Sequence, residues 1–147
     1  ARPVMTFSAD TVSVSLGAEV PVEDALETND WVGFGAAATA QASDDVTIHA
    51  RIALKTGDDA IASGVKGNAM TAGLGAQIQN FYIAALYGND DYDAGDSVNE
   101  TQIYASYKIP SVLDIDNFDI YLAAGYAIAE DSDNDVVGGR VRLKYVF

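Results

Sequence analysis

The chain has 147 residues, no cysteine and a formal net charge of −14. Without thiols there is neither a disulfide framework nor a thiolate metal site, and the acidic excess argues against nucleic acid, whose phosphates need Lys and Arg. The hydrophobic fraction, 49%, is ordinary, but apolar residues rarely run together; they alternate with Gly, Ala, Ser, Thr and charged residues.

Nine segments keep the period of two that gives a strand two unlike faces. They cover roughly 3–9, 11–20, 32–42, 45–55, 68–78, 80–88, 100–109, 117–129 and 136–147, within one domain spanning 1–147. Val12, Val14, Leu16, Ala18 and Val20 share one face, as do Val46, Ile48, Ala50, Ile52 and Leu54. Val141, Leu143, Tyr145 and Phe147 do the same at the end. The longest uncharged stretch, Gly67 to Asn89, is long enough to cross a bilayer as a helix. Gln77, Gln79 and Asn80 stand in its middle, however, and its apolar residues keep the period of two, so it reads as strand–turn–strand.

The connections alternate as well. Those near Asp10, Ser43–Asp44 and Gln79 are tight, whereas 21–31, 56–67, 89–99 and 130–135 are longer, polar and acidic. Segment 110–116 is of middling length and falls in the short class by order. Up-and-down membrane barrels have this arrangement, with short periplasmic turns and longer outer loops. Of the 22 acidic residues, 15 lie in or beside the four long loops, so the charge belongs mostly to one rim. With those loops outside, Phe7, Phe81, Tyr107, Phe118, Tyr145 and Phe147 fall near the periplasmic strand ends, and Trp31 and Tyr87 near the outer ends. Two aromatic belts flanking an apolar band are what a lipid-exposed wall requires. The pattern predicts an all-β, antiparallel, up-and-down transmembrane β-barrel; a soluble acidic β-domain shares the period but has no reason to band its aromatics.

The chain ends Gly139-Arg140-Val141-Arg142-Leu143-Lys144-Tyr145-Val146-Phe147. An alternating last strand with a terminal Phe resembles the assembly signal of outer-membrane barrels. The opening, Arg2-Pro3-Val4-Met5-Thr6-Phe7-Ser8-Ala9-Asp10-Thr11-Val12-Ser13-Val14-Ser15, is similar to the mid-barrel hairpin of the sixteen-stranded general porins of alphaproteobacteria, and Thr101-Gln102-Ile103-Tyr104-Ala105-Ser106-Tyr107 to a late porin strand. The resemblance implies a bacterial outer-membrane location, a homotrimer and contact with membrane lipid. The last strand must run inward to leave the C-terminus in the periplasm, so 3–9 also runs inward. Nine strands then fit strands eight to sixteen of a sixteen-stranded barrel. The alternative is a complete eight-stranded barrel with 1–9 as an N-terminal extension, structural or adhesive and without an open pore.

Small barrels fill their interior with large side chains. The expected inward positions here include Ser13, Ser15, Gly17, Gly33, Gly35, Ala37, Thr39, Thr71, Gly73, Gly75, Ala123 and Gly125, which suit a wide, water-filled lumen. The wall cations follow the same parity: with the apolar residues facing lipid, His49, Arg51, Lys55, Lys108, Arg140, Arg142 and Lys144 face inward. A charge on the lipid face would cost about 2–4 kcal/mol near the midplane. By the porin resemblance, such cations line the pore and stand opposite acidic residues, giving a transverse field that filters small hydrophilic solutes and ions during passive diffusion.

Segment 89–100 superficially resembles an EF-hand ligand series, with Asp91, Asp93 and Glu100 as candidate metal ligands. It departs where Gly is required, since Ala94 occupies that place, and it is flanked by strands. Asp131, Asp133 and Asp135 form a second short series. Weak Ca²⁺ binding at either loop, or a cation shared with lipopolysaccharide, is set against a simply solvated acidic rim. No other cofactor is implied. One His and no Cys leave little for an enzyme: His49 shares its strand with Arg51 rather than an orienting carboxylate.

Overall fold

The computed structural model describes residues 2–21, 31–62, 65–95, 97–130 and 135–145. It is a single antiparallel sheet of nine strands in sequential order: β1 (Val4–Ala9), β2 (Val12–Glu19), β3 (Trp31–Ser43), β4 (Val46–Ala62), β5 (Val65–Ile78), β6 (Phe81–Tyr92), β7 (Ser97–Ile109), β8 (Phe118–Ala129) and β9 (Val136–Tyr145). The one helical element among the described residues is a 3-10 turn at Val112–Asp114, and no helix is long and apolar enough to cross a membrane.

The tight turns fall where the sequence predicts them, at Asp10–Thr11, Asp44–Asp45 and Gln79–Asn80. β3 carries an irregularity between Gln41 and Ser43 just before its turn. The 110–117 connection compresses its chain through positive φ at Ser111, Leu113, Asp114 and Asn117.

Two hairpins differ from expectation. β4 and β5 run on to Ala62 and from Val65, and β6 and β7 run to Tyr92 and from Ser97. Backbone pairing such as Asp91↔Ser97 and Asn89↔Asn99 continues through polar residues that hydropathy assigns to loops. Outside the apolar band both faces meet water, so the alternation that reports a strand vanishes while the ladder continues.

The register sorts every side chain onto one of two faces. One face carries Val12, Val14 and Leu16 from β2, Ile48, Ile52 and Leu54 from β4, Leu74 and Ile78 from β5, and Val141 and Leu143 from β9. These residues are open to the surroundings: Leu74 is 62% exposed and Val141 69%. Among the described residues the buried apolar side chains are only those of Ala60 and Ala84. The chain exposes 10322 Å², against about 7,200 Å² for a compact globular protein of its mass. A single layer with an apolar face and no core is not a fold that water supports. On β5 the apolar residues run from Met70 to Ile78, nine residues, which is what a tilted strand needs to cross a hydrocarbon layer.

The aromatic belt at the short-turn end forms on that apolar face. Phe81 is paired with Tyr107, and the Phe118 and Tyr145 rings lie 6.4 Å apart, edge to face. Phe147 lies outside the described residues. The outer belt is corrected. Trp31 shares parity with Gly33 and so sits on the polar face, where the Lys55 ammonium lies 4.2 Å from its ring centroid. The outer belt on the apolar face is made by Tyr87 and Tyr126, whose hydroxyls donate to Asn99 Oδ1 (2.7 Å) and Asp135 Oδ2 (2.5 Å).

β1 is a full member of the sheet rather than an unpaired extension. β2 spends one edge on β1 and the other on β3, so it has none left to close an eight-stranded ring against β9.

Candidate functional site

The face opposite the apolar one is polar and shallow. Its edge hairpin is laced by hydroxyl pairs, Thr6 with Ser15 at 2.9 Å and Ser8 with Ser13 at 3.1 Å. Cross-strand rows of small residues continue it, with Ser15 against Ala37 and Gly17 against Gly35. All seven predicted wall cations fall on this face. His49, Arg51 and Lys55 stand opposite Thr39, Ala37 and Gly33 on β3. Lys108 stands opposite Tyr121, and Arg142 and Lys144 stand opposite Tyr121 and Asp119. Arg140 faces Ala123.

They do not form one strip. β4 and β9 are separated by five strand spacings, about 24 Å along the sheet, so the cations divide into two groups. In the β7–β9 group, Lys108 Nζ lies 2.9 Å from Asp119 Oδ2, and the Ser111 backbone N–H donates to Asp119 Oδ1 at 3.4 Å. This ties the 110–117 turn to the wall. Asp119 thus stands between Lys108 and Lys144, with Arg142 and Arg140 further along β9. In the β4 group, Lys55 covers Trp31 and donates to the Asp59 carbonyl at 3.1 Å, while Arg2 at the β1 edge is paired with Glu19.

Lower on β4, His49 and Arg51 border a depression of about 320 Å³ shared with Thr39, Gly73, Gly75, Tyr82 and Leu86. Its floor is made of glycine. A Cβ at Gly75 would meet Tyr82 Oη at 2.4 Å, and one at Gly73 would meet Leu86 Cδ2 at 2.6 Å and Arg51 Nε at 3.1 Å. Tyr82 and Arg51 therefore lie flat across neighbouring glycines of β5. His49 Nδ1 is 3.3 Å from Thr39 Oγ1, and its ring centroid is 6.0 Å from that of Tyr82. Tyr82 is in turn 5.7 Å from Tyr104. These two tyrosines were absent from the sequence-derived set. The outward parity of Ile83, Ala85 and Tyr87 was sufficient to place Tyr82 inward.

The acidic candidates separate. Asp91 and Glu100 have opposite parity and lie on opposite faces of the β6–β7 hairpin. Asp93 lies 3.6 Å from Lys66 Nζ, which also meets Asp58 at 3.4 Å. The hydrogen bond and charge of Asp58, reinforced by Asp93, raise the Lys66 ammonium above its ordinary value of 10.5. Asp135 accepts from Tyr126. Asp131 and Asp133 lie outside the described residues, and among the described residues no three acidic or imidazole side chains gather as a metal would need. Glu130 accepts from Asn99 at 2.6 Å, and Asn89 donates to Asn99 at 2.8 Å. The rim is thus a web linking adjacent hairpins.

A membrane-crossing sheet with one apolar and one polar, cation-bearing face is the wall of an outer-membrane channel. No curated protein and no solved structure matches the chain. The family model described as porin-like glycoporin RafY matches residues 1–147, the whole chain, which therefore belongs to that porin family of the bacterial outer membrane.

Proposed function

We propose that the polar face lines a water-filled pore through which small hydrophilic solutes and ions diffuse passively. The observation that carries this is the division of one coreless sheet into an apolar face and a face of small residues with seven cations. A barrel whose inward side chains are Ser, Gly, Ala and Thr leaves room for water. In lipid the free edges of β1 and β9 need partners, because unpaired backbone groups there cost several kcal/mol each. A sixteen-stranded ring supplies them. The family's name, glycoporin, adds sugars to the solutes to be tried.

In this reading Arg140, Arg142, Lys144 and Lys108 bias ion flow near the periplasmic end, and His49, Arg51 and Lys55 do so across the lumen. The acidic rim holds cations weakly and bridges to lipopolysaccharide. Trimers form through the apolar wall, where Ala36, Ala38, Ala40 and Ala124 permit close approach. Reconstitution into liposomes tests the central statement. Swelling rates in isotonic sugars should fall steadily with solute size without saturating. Liposomes that stay impermeable to the smallest sugars, with protein demonstrably inserted, would refute the pore.

A further inference from the structure

The depression between β4 and β6 has the makings of a binding site rather than a stretch of plain wall. We propose that it is a subsite for a small carboxylate carried on a flat ring, such as an aromatic acid, met during passage through the lumen. The inference rests on the pore reading above and adds a ligand class to it.

Three observations combine. First, Arg51 and His49 stand two residues apart on one strand face, and neither has an acidic partner among the described residues; the ion pairs there engage Arg2, Lys66 and Lys108. The polar-face acid Glu100 stands three strands away, on β7, and accepts from Gln102 at 2.5 Å. An unpaired guanidinium presents a planar fork matched to a carboxylate. Second, Thr39 engages His49 at Nδ1, which leaves Nε2 as the imidazole atom for a ligand. Third, Tyr82 lies beside these cations over Gly75, which keeps the floor low, and is backed by Tyr104 at an interplanar angle of 42°. Aromatic faces of this kind attract a second ring in offset or tilted contact. A neutral solute would leave the guanidinium unused, and a ring-free anion would leave the tyrosines unused.

The test is a ¹⁹F NMR titration of the full chain in detergent micelles with 4-fluorobenzoate and, separately, fluoroacetate. Saturable binding of 4-fluorobenzoate is expected, with fluoroacetate weaker by about three- to tenfold for want of the ring contact. Arg51→Gln should weaken both ligands about tenfold or more. Tyr82→Leu should weaken only 4-fluorobenzoate. Lys66→Gln, which removes one positive charge from the rim, should change neither. Each variant is compared by its β-sheet circular dichroism and heat-modifiable mobility, so misfolding is seen directly. Equal affinity for the two ligands, no saturation, or unchanged binding in Arg51→Gln overturns the subsite. Potassium chloride conductance of the wild type in planar bilayers separates the two readings. A conducting protein that does not bind 4-fluorobenzoate removes the subsite and leaves the pore. A binding protein that does not conduct removes the pore and, with it, a subsite in transit.

Discussion

Leu74 lies at the centre of the apolar run of β5, flanked by Ala50 and Ala85, and is 62% exposed. If that exposure were to water, Leu74→Arg would be a surface change worth within about 0.5 kcal/mol. Against lipid the cost has two parts. The buried charge costs about 2–4 kcal/mol near the midplane. The leucine also forfeits its own transfer from water, about 1–2 kcal/mol for the exposed fraction. The sum, about 3–6 kcal/mol, moves the folding equilibrium by roughly two to four orders of magnitude. Thr71→Arg, three residues earlier on the polar face opposite Ala53 and Gly88, is the matched control and should stay within about 0.5 kcal/mol. Urea titration of folding into phospholipid vesicles, followed by the fluorescence of the one tryptophan, reads both. Equal losses in the two variants, or none in either, would refute the assignment of faces.

Four further outcomes are expected. Neutralising Arg140 and Arg142 with glutamine should raise cation selectivity, read as a shifted reversal potential in a salt gradient; an unchanged potential would remove both from the field of the pore. Trp31 should be quenched by aqueous acrylamide and little by brominated lipid acyl chains, because its ring covers Lys55 on the polar face; the opposite order would return it to the lipid belt. Gly75→Ala should cost about 1–3 kcal/mol by overpacking against Tyr82, and the loss should shrink in a Tyr82→Leu background. Lys66 should titrate above 10.5, so its contribution to rim stability is complete below that pH and is lost as pH rises through the raised value. A lysine-resolved NMR titration reads that midpoint, which should move back toward 10.5 in Asp58→Asn.

Much of this was legible in the sequence because a one-layer sheet writes its environment residue by residue. Val46 to Leu54 and Val141 to Tyr145 declare their faces by parity alone, and the cations between them follow. What parity cannot report is lateral position. His49 and Tyr82 are 33 residues apart and meet only because β4 and β6 flank two glycines of β5. Likewise, nothing in the run Asp90-Asp91-Tyr92 distinguishes a wet strand from a loop, since pairing there rests on backbone groups and not on side-chain hydropathy. Trp31 misled for a related reason: its height suited a membrane belt, but the face was decided by its pairing opposite Gly57, next to Gly33 opposite Lys55.

The near absence of a buried core has a consequence for how such a sequence can drift. Where Leu, Ile and Val meet lipid instead of one another, no neighbour dictates their shape, and one apolar residue serves nearly as well as the next. The positions with less freedom are the smallest ones: a Cβ at Gly67 would lie 2.2 Å from the backbone oxygen of Asp91, and at Gly73 and Gly75 it would push aside the Leu86 and Tyr82 side chains. In a globular protein the large interior residues hold still while small surface ones change; in this wall the large ones are free to change and the glycines hold the pattern.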